Sequence, residues 1–120
     1  MNDPFNQELP HKDEAERTVL GAMLQSRAAI DEARQKITEN DFYQPNNKTI
    51  YRLICDLSDQ HGDVDTTLLC MTLAERKMLD HVGGLNYVGK LIDYAPTTSN
   101  VGIYADMVKD AAKRRDIIAI

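Results

Sequence analysis

The stretch whose residue types come nearest to a reactive-site pattern is Gly84-Leu85-Asn86-Tyr87-Val88-Gly89-Lys90-Leu91. It follows the G-x-x-x-x-G-K order of a phosphate-binding loop, in which glycine backbone N–H groups cradle phosphates and the lysine meets their charge. The next position must then offer a Ser or Thr hydroxyl to magnesium, and here it is Leu91. Such a loop also follows a buried strand, whereas Leu79-Asp80-His81-Val82-Gly83 is short and irregular. Leu85, Val88, Leu91 and Ile92 recur at helical spacing and are expected to face inward, so the segment reads as a glycine hinge before a packing helix. A small nucleotide-binding domain stays as a rival reading, which a nucleotide titration beside a Lys90→Ala variant separates.

No other group of side chains carries a catalytic pattern. Asp63 and Asp65 abut a predicted helix start, where acidic residues are favoured by the helix dipole. His61-Gly62-Asp63-Val64-Asp65 lacks the remaining carboxylates of a calcium loop. Cys55 and Cys70 fall inside predicted helices with no partner at zinc spacing, and read as reduced core thiols. His11, His61 and His81 are spread along the chain and expected in loops. Catalytic, cofactor-binding and metal-binding residues are therefore expected to be none. Lys109, Lys113, Arg114 and Arg115 form a basic cluster, but the net charge is −5, which gives nonspecific DNA binding by counterion release little to work with. A solvated helix face is the simpler reading.

The elements that would position these residues are helical. Asp13 and Glu16 resemble a capping box before a first helix running to about Gln25, with Ala15, Val19, Leu20, Met23 and Leu24 inward. Gly21 within it predicts a close helix crossing. A second helix spans about Ala28 to Ile37, and Phe42-Tyr43 forms an aromatic segment. Asn46 or Asn47 then caps the central helix, which buries Ile50, Tyr51, Leu53, Ile54 and Leu57 and stops at His61-Gly62. A fourth helix starts at Asp65 or Thr66 and runs to about Arg76, with Leu68, Leu69, Met71, Leu73 and Ala74 in apolar contact. A fifth covers Leu85 to about Tyr94 and ends before Pro96. No stretch alternates at period two long enough to make a strand.

The last helix begins at Val101 behind a Ser99 or Asn100 cap. Its apolar stripe is Val101, Tyr104, Ala105, Val108, Ala111, Ala112, Ile118 and Ala119, interrupted by Arg115. No Gly, Asn or Pro stop signal follows it, so the helix is expected to be cut short at Ile120, leaving part of its apolar stripe without a partner. The expected organisation is all-α. A flexible segment at 1–8 precedes a bundle of about five to six helices at 9–100, and 101–120 forms a last helix that the sequence starts and does not finish. Met1 to Pro10 lacks a signal peptide and no apolar run is long enough to span a membrane, so a cytoplasmic protein is expected.

Several local patterns together resemble the N-terminal domain of the bacterial replicative DNA helicase of the DnaB type. They are Leu9-Pro10-His11, Glu14-Ala15-Glu16, Val19-Leu20-Gly21, Asp41-Phe42-Tyr43 and Ile50-Tyr51. Val82-Gly83-Gly84 with Tyr87 and Leu91 follow, and then Pro96, Asn100, Tyr104-Ala105 and Val108. The order and spacing cover about residues 9 to 120. The sequence departs from the family at Asn46-Asn47-Lys48, where His or Arg is common. The resemblance implies a helical bundle followed by a helical hairpin, of which 101–120 would be the truncated first part, in a noncatalytic collar domain paired as dimers within a hexamer on an ATPase ring that moves along single-stranded DNA. It implies docking of the primase helicase-binding domain and, in some systems, of a helicase loader. ATP and magnesium would belong to the ATPase domain, which this sequence does not contain. Tyr104, Val108, Ala111 and Ile118 are then expected on a packing surface or an oligomer or partner surface, rather than in a ligand site. A stand-alone helical adaptor or nucleic-acid-binding module is the alternative, and salt-dependent duplex binding would be its sign.

Overall fold

The computed structural model describes residues 11–118, and the segment expected to be flexible at 1–8, the start at Leu9-Pro10 and Ala119 lie outside them. The described residues form helices only: α1 (Asp13–Met23), α2 (Arg27–Lys36), α3 (Pro45–His61), α4 (Thr66–Glu75), α5 (Gly84–Lys90) and α6 (Val101–Ile118). Short 3-10 turns occupy Glu39–Asp41, Asp80–Val82 and Leu91–Tyr94. The expected all-α class holds. No helix among the described residues is long and apolar enough to cross a membrane.

α3 is the central helix, and Ile50, Tyr51, Leu53, Ile54 and Leu57 are all buried. Its start differs from expectation. Pro45 occupies the first turn, where its missing N–H costs nothing, and Gln44 stands at the cap. This frees Asn46 and Asn47 for longer-range bonds. Gly62 closes the helix with a φ of 88°. α2 and α4 start as local chemistry dictates, with the Ser26 side chain accepting from Ala29 N–H and the Asp65 side chain from Leu68 N–H.

The crossing predicted from Gly21 is present and close. A Cβ at Gly21 would lie 2.1 Å from the Leu91 carbonyl oxygen and 3.4 Å from the Ala95 Cβ. Only glycine lets α1 touch the Leu91–Tyr94 turn at this distance. Gln25, just past the end of α1, fastens the contact by donating to the carbonyls of Gly21 (3.0 Å) and Ala95 (2.8 Å). The predicted fifth helix is two pieces, because the α-helix ends at Lys90 and tightens into the 3-10 turn. The change of pitch turns the inward face. Val88 and Leu91 are buried as expected, while Leu85 and Ile92 are exposed, as is Met71 on α4.

α6 packs on α1 and α2, and gives Val101, Ala105 and Val108 to the same core as Val19, Ile30 and Ile54. Its first turns are thus part of the bundle.

Candidate interaction surface

The buried face of α6 is narrow and made of small side chains: Val101, Gly102, Ala105, Val108, Ala111 and Ala112. Small residues bring the α6 backbone close to its neighbours. A Cβ on Gly102 would meet the Glu32 carboxyl of α2. The sequence grouped Tyr104, Val108, Ala111 and Ile118 as one surface, and the structure divides them. Val108 and Ala111 are buried, at 1% and 3% exposure, whereas Tyr104 is half-buried and Ile118 is 58% exposed. Val108 and Ala111 face the bundle, where α6 packs on α1 and α2, and Ile118 points away from it.

Exposed beside them are Ile103, Met107 and Ile117. The sequence reading passed over these three because they stand off the main apolar stripe. The i, i+4 spacing of Ile103 and Met107 was the available signal. Tyr104 and Met107 also wall a groove of about 500 Å³ against the first turns of α1, where Lys12, Asp13, Glu14 and Arg17 supply charge. The Arg17 guanidinium sits over the Tyr94 ring, 4.8 Å from its centroid. Apolar side chains within a charged rim suit a protein partner rather than a small substrate.

Two polar junctions hold this surface in place. The first is Glu16 of α1, 1% exposed. Its carboxyl oxygens accept from Tyr43 N–H (2.7 Å), Gln44 N–H (3.3 Å) and the Asn47 amide (2.9 Å). The Asn47 Oδ1 in turn accepts from the Tyr87 hydroxyl, and Asn46 donates to the Val82 carbonyl at 3.2 Å. One carboxyl therefore joins α1, the entry to α3 and α5. The expected capping box does not form: Lys12 is the cap, without a side-chain bond, and Asp13 instead accepts from the Gln44 amide and pairs with His11.

The second junction is Asp41-Phe42-Tyr43. The Asp41 carboxyl accepts from Thr38 N–H at 2.8 Å and pairs with Lys109 of α6 at 3.3 Å. Arg115 donates to the Asp41 carbonyl at 2.8 Å and lies over the Tyr43 ring, on which the His11 ring also stacks at 4.3 Å. This explains why Arg115 interrupts the apolar stripe. It also accounts for Lys109, while Arg114 pairs with Asp110 within α6. Tyr51 caps the arrangement by donating to the Ile37 carbonyl, and burial pushes its phenol well above the ordinary value.

The remaining residues flagged by the sequence are not drawn into a reactive site. Gly84 to Lys90 is helix, entered through Gly83 and Gly84 at φ 109° and 83°, with no strand before it among the described residues. Cys55 is buried and Cys70 half-buried in separate helices, and burial raises both thiols. His61 ends α3 and His81 lies in the Asp80–Val82 turn, so these two are not in open loops. Among the described residues no group of His, Cys, Asp or Glu is placed to hold a metal ion.

Comparison with known proteins agrees with this architecture. The model of the DnaB-like helicase N-terminal domain matches residues 8–110. The replicative DNA helicase DnaB of Treponema pallidum is 37% identical over 111 residues, covering 92% of this chain and 25% of the relative. That of Mycobacterium leprae is 32% identical over 117 residues, covering 98% of this chain and 19% of the relative. The chain thus spans a quarter or less of the length of these relatives. The crystal structure of the N-terminal domain of DnaB helicase from Mycobacterium tuberculosis superposes with a TM-score of 0.89 at 33% identity, over 93% of this chain and 81% of that one. A DnaB-like replicative helicase, described together with its interactions with primase, gives 0.76 at 25% identity over 90% of this chain and 25% of that one. A match over nearly the whole helical bundle, in sequence and in backbone, means that this chain belongs to the DnaB-like helicase N-terminal domain family.

Proposed function

We propose that this chain is the noncatalytic assembly and docking domain of a replicative helicase that unwinds DNA with ATP. The observation that carries the proposal is the backbone match to a DnaB N-terminal domain across 93% of the chain. Catalysis, with ATP and magnesium, belongs to an ATPase domain outside this span, and so does the contact with single-stranded DNA. Within the bundle, α6 is the first helix of a hairpin, and Ile103, Tyr104, Met107 and Ile118 form the apolar surface through which copies pair within a hexamer. Primase is the docking partner, through its helicase-binding domain, and a loader is a further partner in some systems.

The test is solution mass across concentration, for this chain and for one extended through a second hairpin helix. Calorimetry with the primase helicase-binding domain accompanies it. The extended chain is expected to dimerise or form larger rings, and Met107→Asp with Ile118→Asp to shift it toward monomer. Primase binding is expected without added nucleotide. An extended chain that stays monomeric at high concentration and ignores primase overturns the proposal.

A further inference from the structure

A second surface, remote in sequence from α6, has the chemistry of a binding site. Along α3, Lys48 and Arg52 are one turn apart on the same face. Across from them stands Arg76, at the end of α4, and together they line a cleft of about 390 Å³. None of the three makes an ion pair among the described residues, with Glu39 and Asp56 of the same cleft or with any other carboxylate. Against the Glu39 and Asp56 carboxylates in the same lining, the three cations leave the cleft one charge positive in a chain whose net charge is −5.

The opposite wall is built by a strained turn. Lys77 has a φ of 57°, the left-handed conformation that usually falls to glycine at the end of a helix. Met78 N–H donates to the Leu73 carbonyl at 2.8 Å and Lys77 N–H to the Ala74 carbonyl at 3.1 Å, which closes α4 and reverses the chain. The reversal carries Met78 back toward α3, where with Leu53 it forms an apolar floor. Glu39 and Asp56 complete the lining.

We propose that this cleft docks an acidic peptide segment bearing an apolar side chain. The cations pair with its carboxylates, the floor of Leu53 and Met78 takes the apolar group, and Glu39 and Asp56 accept from peptide N–H groups. The two wall carboxylates disfavour a nucleic-acid strand, whose phosphates follow one another without relief. They also disfavour a compact phosphate dianion. A carboxylate-bearing peptide with donors of its own meets both signs of charge and the apolar floor.

The experiment uses fluorescence anisotropy of a fluorescein-labelled peptide in which aspartates and glutamates alternate with serines around one leucine, titrated with the chain at low and at physiological salt. A peptide with asparagine and glutamine in place of the acids is run beside it. The acidic peptide is expected to bind, and to weaken with salt. Arg52→Glu and Arg76→Glu are each expected to weaken it by at least about tenfold, the scale of a lost charge-assisted bond. Lys90→Glu, on exposed α5, is expected to leave it unchanged. Circular dichroism confirms that each variant is folded. The proposal is overturned by equal binding of the neutral peptide, by Arg52→Glu binding as well as the parent, or by displacement with pyrophosphate or oligothymidylate more readily than with unlabelled acidic peptide.

Discussion

The Glu16 junction and the Lys48–Arg52–Arg76 cleft are both clusters of charged and polar side chains, and they solve opposite problems. Around Glu16, nearly absent from the surface, both carboxyl oxygens are matched by donors from the α3 entry. In the cleft, cations face an open cavity with no ion pair among the described residues. A buried carboxyl is tolerable only when its partners are complete, because an unmatched polar group away from water costs its full desolvation. An exposed cation has water as its partner and stays available for another molecule. The difference separates polar groups that hold the fold from those that can recognise something.

That contrast is most open to attack at Glu16. Glu16→Ala leaves two backbone N–H groups and the Asn47 amide without an acceptor, and is expected to cost about 1–3 kcal/mol for each donor that stays buried and unmatched, measured by urea denaturation. Glu16→Gln keeps one acceptor oxygen and should cost less. Equal stability of Glu16→Ala and the parent would mean that water can replace the junction.

Next in size is the crossing at Gly21. Gly21→Ala pushes a methyl group against the Leu91 carbonyl, which cannot yield without moving the 3-10 turn, and is expected to cost about 1–3 kcal/mol. Gly102→Ala meets the flexible end of Glu32 instead and should stay within about 0.5 kcal/mol. Thermal melts of the two variants decide whether backbone and side-chain obstacles differ as argued. Lys77→Gly relieves the left-handed turn and is expected to stabilise by about 1 kcal/mol, measured the same way.

The smallest effects belong to the open region. Arg52→Glu is expected to move stability by no more than about 0.5 kcal/mol while changing peptide binding strongly. A large loss of stability would make Arg52 a structural residue and erase the contrast. Cys55 lies beside this region, lining a neighbouring groove with Tyr51, and burial raises its thiol. With less thiolate at neutral pH, it should alkylate more slowly than a free thiol and speed up as pH rises; mass spectrometry of an iodoacetamide time course measures this.

Much of the fold was legible in the sequence because its signals are local. Gly62, Asp65 and the apolar spacing of α3 and α6 act within a few residues of themselves, and each produced the element expected of it. Gly21 announced a close crossing but not its partner, since Leu91 lies far along the chain. Local reading misassigned Glu16: the spacing to Asp13 suggested a cap, and the loop that competed for its carboxyl arrives only after α2. Leu85 and Ile92 were placed inward because the periodicity assumed one continuous helix.

The candidate surface followed the same division. The sequence by itself determined that α6 is amphipathic, that the chain is helical, and that its motifs resemble the N-terminal domain of a DnaB-type helicase. Those properties depend on residue type and short spacing. Only the tertiary structure decided that Val108 and Ala111 are buried, that Ile103 and Met107 are exposed, and that Arg115 serves Asp41. It alone brought Lys48, Arg52 and Arg76 to one cleft. Which side of a helix is free depends on what other helices cover, and that is set by contacts between residues far apart in the chain.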